Sequence, residues 1–350
     1  MRILFFFVHP GAFHVLKKTI RTLKSAGEIV DVAIINKDVL PELLRENGIE
    51  FTDIFPEGRR SRNLFEAGFN LLKTVWRLHK LIRGKHYDCM VTDDCLSING
   101  RLSHTPCLFL IDDDLDVVPE IAPLLMCADR IVAPQVTRLG RFEHKKIGFP
   151  GYKELSYLHP DVFAPDADVV RRYGLTPKKY VFVRTVGLTA THDRNKHGID
   201  DHFLLRISDC VRRCGFQLVL SSERKLPKEL ETSRIHFAAA DGLHLLGHAA
   251  LFAGDSQTMT SEAALLGVPA LRYNDFVGKI SVMDEKETKY GLSFGYLPGN
   301  EDAFLEKLET LLNDPNREVE WKKRYQKMLE ESVDISELLF RQIKRISMNK

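Results

Sequence analysis

The sequence predicts an α/β protein built from two doubly wound parallel-sheet domains facing a cleft. Three observations lead there. The chain has 350 residues, too many for one ordinary domain and suited to two. Short strand-like runs alternate with helical patterns through both halves, the signature of βαβ units and a parallel sheet. Between the halves, residues 148–168 read GFPGYKELSYLHPDVFAPDAD, with three prolines and two glycines, which marks a linker.

Taken in order, residues 3–8 form an apolar run, ILFFFV, suited to a strand buried on both faces. It breaks at His9-Pro10-Gly11, a turn where Gly11 permits close approach of a ligand. A helical pattern then runs over 13–25 until Gly27 ends it. A strand is predicted at 29–35 and a helix at 37–47. Residues 57–85 contain eight Lys/Arg and two Glu. Within them Leu64, Phe65, Phe69, Leu72, Val75, Trp76, Leu78 and Leu81 space as an apolar helical stripe. That stripe is either a core-facing surface with a solvated basic back, or a basic amphipathic helix lying on an anionic membrane. Short strands follow at 88–92, 107–111 and 130–133. Past the linker, strands are predicted at 180–185, 217–221, 251–253 and 269–273. Helices are predicted at 201–214, 241–249, 258–266 and 303–312, with one closing helix over 318–346. The expected domains are 1–150 and 165–315, with residues 318–350 packing back on the first.

Composition excludes several classes. Apolar residues make up 44% and charged residues 28%, ordinary for a soluble globular chain. Fifty Lys/Arg against 48 Asp/Glu give a net charge of +2, so no overall field argues for nucleic acid. Cys89, Cys95, Cys107, Cys127, Cys210 and Cys214 form no CxxC pair and no zinc spacing. Reduced thiols in a cytoplasm are expected. The opening MRILFFFVHP lacks a small-residue cleavage site, and no run nears the ~20 apolar residues that span a bilayer. The expectation is a cytoplasmic protein, at most membrane-peripheral. No Walker, GxGxxG or GxSxG sequence is present.

The most informative stretch is 254–269, GDSQTMTSEAALLGVP. A strand ends in Gly254-Asp255-Ser256, and a helix starts near Thr258. Small residues, free N–H groups and the positive helix end favour a phosphate. Ser256, Thr258 and Thr260 offer hydroxyls, and Glu262 is placed to accept hydrogen bonds from a ribose diol. Read as structure alone, the same residues are an N-cap and its capping-box partner.

This segment resembles the nucleotide-sugar signature of the GT-B superfamily, which includes many glycosyltransferases and the non-hydrolysing UDP-N-acetylglucosamine 2-epimerases. In the epimerases it reads roughly D-S-G-G-x-Q-E-E-A-x-x-L-G-x-P. Asp255, Ser256, Glu262, Ala263, Leu266, Gly267 and Pro269 match without a gap, while Gln257 and Thr258 replace the two glycines. The resemblance implies two Rossmann-like domains of GT-B type. It also implies that Ser256 and the backbone at Gln257 and Thr258 hold a diphosphate, and that Glu262 holds the ribose. HPGAFHVLK (9–17), GYKELSYLHPDVFAPD (151–166), THD (191–193), SSE (221–223) and 254–267, in that order, are similar to an uncharacterised prokaryotic branch of the superfamily. His192 is a phosphate contact by resemblance, although Asp193 stands where the epimerases have Arg. Arg184, just ahead of that loop, is a second cation.

In the first half, His9 and His14 flank the first turn, and either is a candidate base. Thr92-Asp93-Asp94 and Asp112-Asp113-Asp114-Leu115-Asp116 form two acidic loops after strands. Clustered carboxylates raise one another's pKa and suit acid–base chemistry. They also suit a divalent cation, but the resemblance implies a metal-independent site. Asp94 and Asp113 are the acidic candidates, with His14 beside them. Pro119-Glu120 resembles a Pro-Glu-Glu piece of the epimerases.

Together these readings predict a glycosyltransferase with a nucleotide-activated donor, most simply a UDP-sugar, acting in surface polysaccharide or glycolipid assembly. The acceptor would be a carbohydrate or a lipid-linked one. The donor is a substrate, and no cofactor is expected. The alternatives are a UDP-N-acetylhexosamine 2-epimerase-like enzyme, whose work would fall on Asp94, Asp113 and Glu120, and a non-catalytic nucleotide-sugar-binding protein. No nucleic-acid partner is expected. The oligomeric state stays open, a homodimer included.

Overall fold

The computed structural model describes residues 1–37, 39–58, 64–186, 198–222 and 224–348, the side chains of residues 64 and 65 excepted. The chain divides into two compact units, Met1–Tyr157 with Ser332–Lys350, and Leu158–Glu331.

The first unit runs β1 (Arg2–Phe7), α1 (Pro10–Ser25), β2 (Ile29–Ile34), α2 (Leu40–Glu46), β3 (Thr52–Asp53), α3 (Leu64–Ile82), β4 (Cys89–Thr92), α4 (Leu96–Ser103), β5 (Cys107–Leu110), α5 (Ala122–Cys127), β6 (Arg130–Pro134), β7 (Lys146–Phe149) and a single turn, α6 (Leu155–Leu158). Its strands make one parallel sheet in the order β3-β2-β1-β4-β5-β6-β7. The second unit continues with α7 (Ala167–Arg172), β8 (Tyr180–Thr185), α8 (Asp201–Arg213), β9 (Gln217–Ser222), α9 (Gly242–Gly247), β10 (Leu251–Gly254), α10 (Gln257–Leu265), β11 (Ala270–Tyr273), α11 (Ser281–Thr288), β12 (Ser293–Tyr296), α12 (Glu301–Asn313) and α13 (Arg317–Glu330). Its parallel sheet has the order β12-β11-β10-β8-β9. The last helix, α14 (Ile335–Met348), returns to the first unit.

β1 shows why both sheets form. Its residues alternate across the sheet. Phe5 and Phe7 join one cluster with Phe13, Leu16 and Ile20 of α1 and Ile335, Leu339 and Ile343 of α14. Leu4 and Phe6 join another with Leu78 and Ile82 of α3 and Leu96 of α4. A strand covered by helices on both faces must be apolar throughout, as this one is. In the second unit Tyr180, Phe182, Val219, Phe252 and Ala270 anchor the matching core.

Three sequence expectations change. α1 starts at Pro10, so the predicted ligand-approach turn is instead the helix's first turn: His9 is the N-cap, and its Nδ1 accepts the Gly11 N–H at 3.0 Å. The single closing helix over 318–346 is two helices. α13 lies in the second unit and α14 in the first. The chain turns between them, where the Val333 N–H donates to the Pro150 carbonyl and Asp334 Oδ1 takes the Ser336 N–H. Finally, the stripe of residues 64–81 divides. Val75 and Leu78 turn inward with Leu71 and Ile82, whereas Phe69, Leu72 and Trp76 stay exposed. Among the described residues, no helix is long and apolar enough to cross a membrane.

Candidate functional site

In an open parallel sheet, ligands bind beyond the carboxyl ends of the strands where the winding reverses. The strand orders put that point between β1 and β4 in the first unit and between β8 and β10 in the second. The candidate residues fall at both.

In the second unit, Gly254 ends β10 against β8 and β11. A Cβ there would lie 2.6 Å from the Arg184 carbonyl oxygen and 2.9 Å from the Phe252 ring, so only glycine fits. Asp255 follows and is buried. Its Oδ1 accepts the Val186 N–H at 2.8 Å, and its Oδ2 accepts the Ile199 N–H at 3.3 Å. Burial pushes this carboxyl up to about 6 in spite of those backbone donors. Ser256 caps α10, its hydroxyl accepting the Met259 N–H at 3.4 Å. The helix geometry leaves the N–H groups of Gln257 and Thr258 without intrahelical acceptors. Thr258 is exposed and Glu262 half-buried. Four residues apart, they share one helix face.

Two side chains there have structural duties. Thr260 is fully buried, and its hydroxyl donates to the Ser256 carbonyl at 2.7 Å; it is therefore not a ligand donor, contrary to the sequence reading. The Gln257 Oε1 accepts from Arg272 Nη1 at 2.8 Å. Arg272 is fully buried on β11, and its Nη2 also holds Glu287 Oε1 at 2.9 Å. Its Nε has no hydrogen-bond partner. The Arg184 guanidinium donates to Ser221 Oγ at 2.6 Å, from the end of β8 to that of β9. His192 lies outside the described residues.

In the first unit, β4 and β5 end in the two acidic loops. Asp94 is engaged locally: its Oδ1 accepts the Cys95 N–H at 2.5 Å. Asp93, its neighbour, is the desolvated carboxyl of the two. Its Oδ1 is buried without a hydrogen-bond partner. Burial first, then Asp94 and Asp112, push its carboxyl up to about 7, opposed by Lys153. Asp113 is pushed up to about 6, again by burial and then by Asp112. Lys153 Nζ bonds Asp112 Oδ1 at 2.6 Å. It stays charged because Asp112, Glu154 and Asp113 together outweigh the cost of burying it. Asp114 is structural, its two oxygens holding the Arg138 backbone N–H and guanidinium. Glu120 is exposed on the turn of residues 119–121.

His14 lies on α1, its ring 5.4 Å from that of Tyr157. Burial, with Lys17 and His9 adding, lowers it to about 4. It is neutral at pH 7.

Lys153 and Arg272 were not singled out from sequence, and Asp93 was named only as part of an acidic loop, with Asp94 preferred. Asp93 and Asp94 are adjacent, and only the fold decides which carboxyl is desolvated. Lys153 sits in a stretch that reads as linker. Arg272 carried a signal, a lone charge inside the strand pattern ALRY.

No family model and no curated protein matches the sequence. Solved structures match over nearly the full length. Spinosyn forosaminyltransferase SpnP is 18% identical with a TM-score of 0.65, covering 98% of this chain and 99% of that one. UDP-N-acetylglucosamine 2-epimerase from Rickettsia bellii is 15% identical with a TM-score of 0.65, covering 99% and 96%. Glycosyltransferase VinC in complex with dTDP is 14% identical with a TM-score of 0.63, covering all of both chains. The chain therefore has the GT-B fold. Both glycosyltransferases and UDP-GlcNAc 2-epimerases stand among its structural neighbours. None of these likenesses bears on the narrower resemblance to an uncharacterised prokaryotic branch.

Proposed function

We propose that the protein is a glycosyltransferase with a nucleotide-diphosphate sugar donor, most simply a UDP-sugar, and a carbohydrate or lipid-linked acceptor. The observation that carries this reading is the start of α10. It combines a capped helix end, exposed Thr258, Glu262 on the same face and a strand end with no room for a Cβ, all at the winding reversal of the second sheet. The backbone at Gln257 and Thr258, with Ser256, would take the diphosphate, and Arg184 would add positive charge. Glu262 would accept hydrogen bonds from the ribose. The departing diphosphate would then be stabilised by N–H groups and cations that are already in place.

In the first unit the base is Asp93 rather than Asp94 or His14. A base works best when its pKa lies near the working pH. Asp93 sits at about 7, while His14 at about 4 is a weak proton acceptor and Asp94 is engaged by the Cys95 N–H. Asp93 would take the proton of the acceptor hydroxyl as its oxygen attacks the anomeric carbon and the bond to the diphosphate breaks. Lys153, paired with Asp112 at 2.6 Å, would hold that carboxylate in place near Asp93.

One observation favours a second reading, a UDP-N-acetylhexosamine 2-epimerase-like reaction. Two carboxyls on the loops after adjacent strands β4 and β5, Asp93 at about 7 and Asp113 at about 6, suit removal and return of a proton at a sugar carbon.

The test is calorimetric titration of the protein with UDP, dTDP, GDP and ADP, alongside Glu262→Ala and Asp93→Asn. The expected result is saturable binding of one nucleotide, weakened at least about tenfold by Glu262→Ala and unchanged by Asp93→Asn. Turnover of that nucleotide's sugars, with and without an acceptor, separates transfer from epimerisation, and Asp93→Asn abolishes either. Binding without turnover would leave the non-catalytic reading. No binding of any nucleotide would refute the site.

A further inference from the structure

We infer that α3 docks the first unit onto an anionic lipid surface through a second apolar face. The helix has one apolar face more than folding uses. Leu71, Val75, Leu78 and Ile82 pack inward against the sheet, with Thr74 fully buried between them. On the far side Phe69 is 68% exposed, Leu72 69% and Trp76 54%. Their spacing of three and four residues puts them on one face, where a domain helix ordinarily carries polar residues.

The charges around this face select the occupant. Lys80 Nζ lies 3.7 Å from the centroid of the Trp76 ring. His79 shares the face, and Arg83 and Lys85 follow at the helix end, all exposed. Among the described residues, none of Lys80, Arg83 and Lys85 has an ion-pair partner. Lys73 and Arg77, by contrast, are both held by Glu57. A two-fold copy packed on this face would gather two Lys80 and two Arg83 into one interface with like charge. A headgroup layer supplies the opposite charge, and the apolar rings reach just below it. Trp with a neighbouring Lys is the pairing that suits an interface wet on one side and apolar on the other. The contact is peripheral and reversible, and it is independent of the nucleotide reading.

The experiment is co-sedimentation of the full chain with phosphatidylcholine vesicles, with and without phosphatidylglycerol, together with tryptophan emission. The chain has two tryptophans, and Trp321 is buried, so a spectral change reports Trp76. The expected result is binding and a blue shift with phosphatidylglycerol only, reversed by high salt. Lys80→Glu with Arg83→Glu should weaken binding by about fivefold or more per charge. Phe69→Ser with Leu72→Ser should weaken it at least about tenfold. Both variants change exposed side chains and should keep the native circular dichroism and unfolding midpoint. Protein remaining in the supernatant with phosphatidylglycerol vesicles would overturn the inference, as would equal binding to neutral vesicles. So would a native dimer that Phe69→Ser with Leu72→Ser converts to monomer, because a second copy would then be the occupant.

Discussion

Replacing Asp93 by Asn should stabilise the protein at pH 8 and leave its stability at pH 4 nearly unchanged. In the unfolded chain this carboxyl ionises at its ordinary value of 3.8, and in the folded protein at about 7. Between those values the folded state binds a proton that the unfolded state has released. The stability contributed by the neutral carboxyl is therefore complete below 3.8 and is lost as pH rises through about 7. The full interval corresponds to about 4 kcal/mol. Coupling to Asp94 and Asp112, and the opposing charge of Lys153, reduce that to about 2 kcal/mol. Asparagine cannot ionise, so the variant escapes the loss. The assay is urea unfolding of native protein and Asp93→Asn at pH 4, 5, 6, 7 and 8, comparing midpoints at each pH. A difference that opens by about 2 kcal/mol between pH 5 and 8 is expected. The same midpoint difference at every pH, or a variant less stable at pH 8, would refute the placement of Asp93 as a desolvated carboxyl.

Other expectations follow from the second unit. Gly254→Ala forces a methyl against the Arg184 carbonyl oxygen at 2.6 Å. Because β8 and β10 cannot separate cheaply, it should cost about 2–3 kcal/mol in the unfolding of that unit and weaken nucleotide binding; wild-type stability would contradict the close approach. Arg272→Met strands the half-shielded Glu287 carboxylate and should cost about 3–5 kcal/mol. Arg272→Met with Glu287→Met should recover most of it in the same urea assay. A single-variant cost under about 1 kcal/mol would show that the buried pair contributes little.

Much of this fold was written in periodicities. The run ILFFFV, the helix of residues 13–25 and the alternation through both halves lead directly to parallel sheets. What escaped was short or lay at an edge. β3 has two residues, and β7 and β12 have four each on outer positions. The break between α13 and α14 carries no Gly or Pro. Its signal was Asp334 followed three residues later by Glu337, a capping pattern hidden inside a continuous apolar series. The site divides the same way. The phosphate-type turn at 254–258 was legible because backbone geometry demands small residues and caps at fixed offsets. The choice of Asp93 over Asp94 was not, because desolvation belongs to the assembled fold. Arg272 was hidden for the same reason: its partners Gln257 and Glu287 come from two different helices.

The path of the chain between the two units has a consequence for synthesis. Residues 158–331 form one uninterrupted stretch, whereas the first unit is closed by a helix made after all of them. On the ribosome, the second unit has its whole sequence available before Ile335, Leu339 and Ile343 emerge to cover the α1 side of the first sheet. Until then the cluster of Phe13, Leu16 and Ile20 lacks the three side chains that α14 contributes. The first unit, although its strands and α1 are synthesised first, is thus the later of the two to have its full core sequence available.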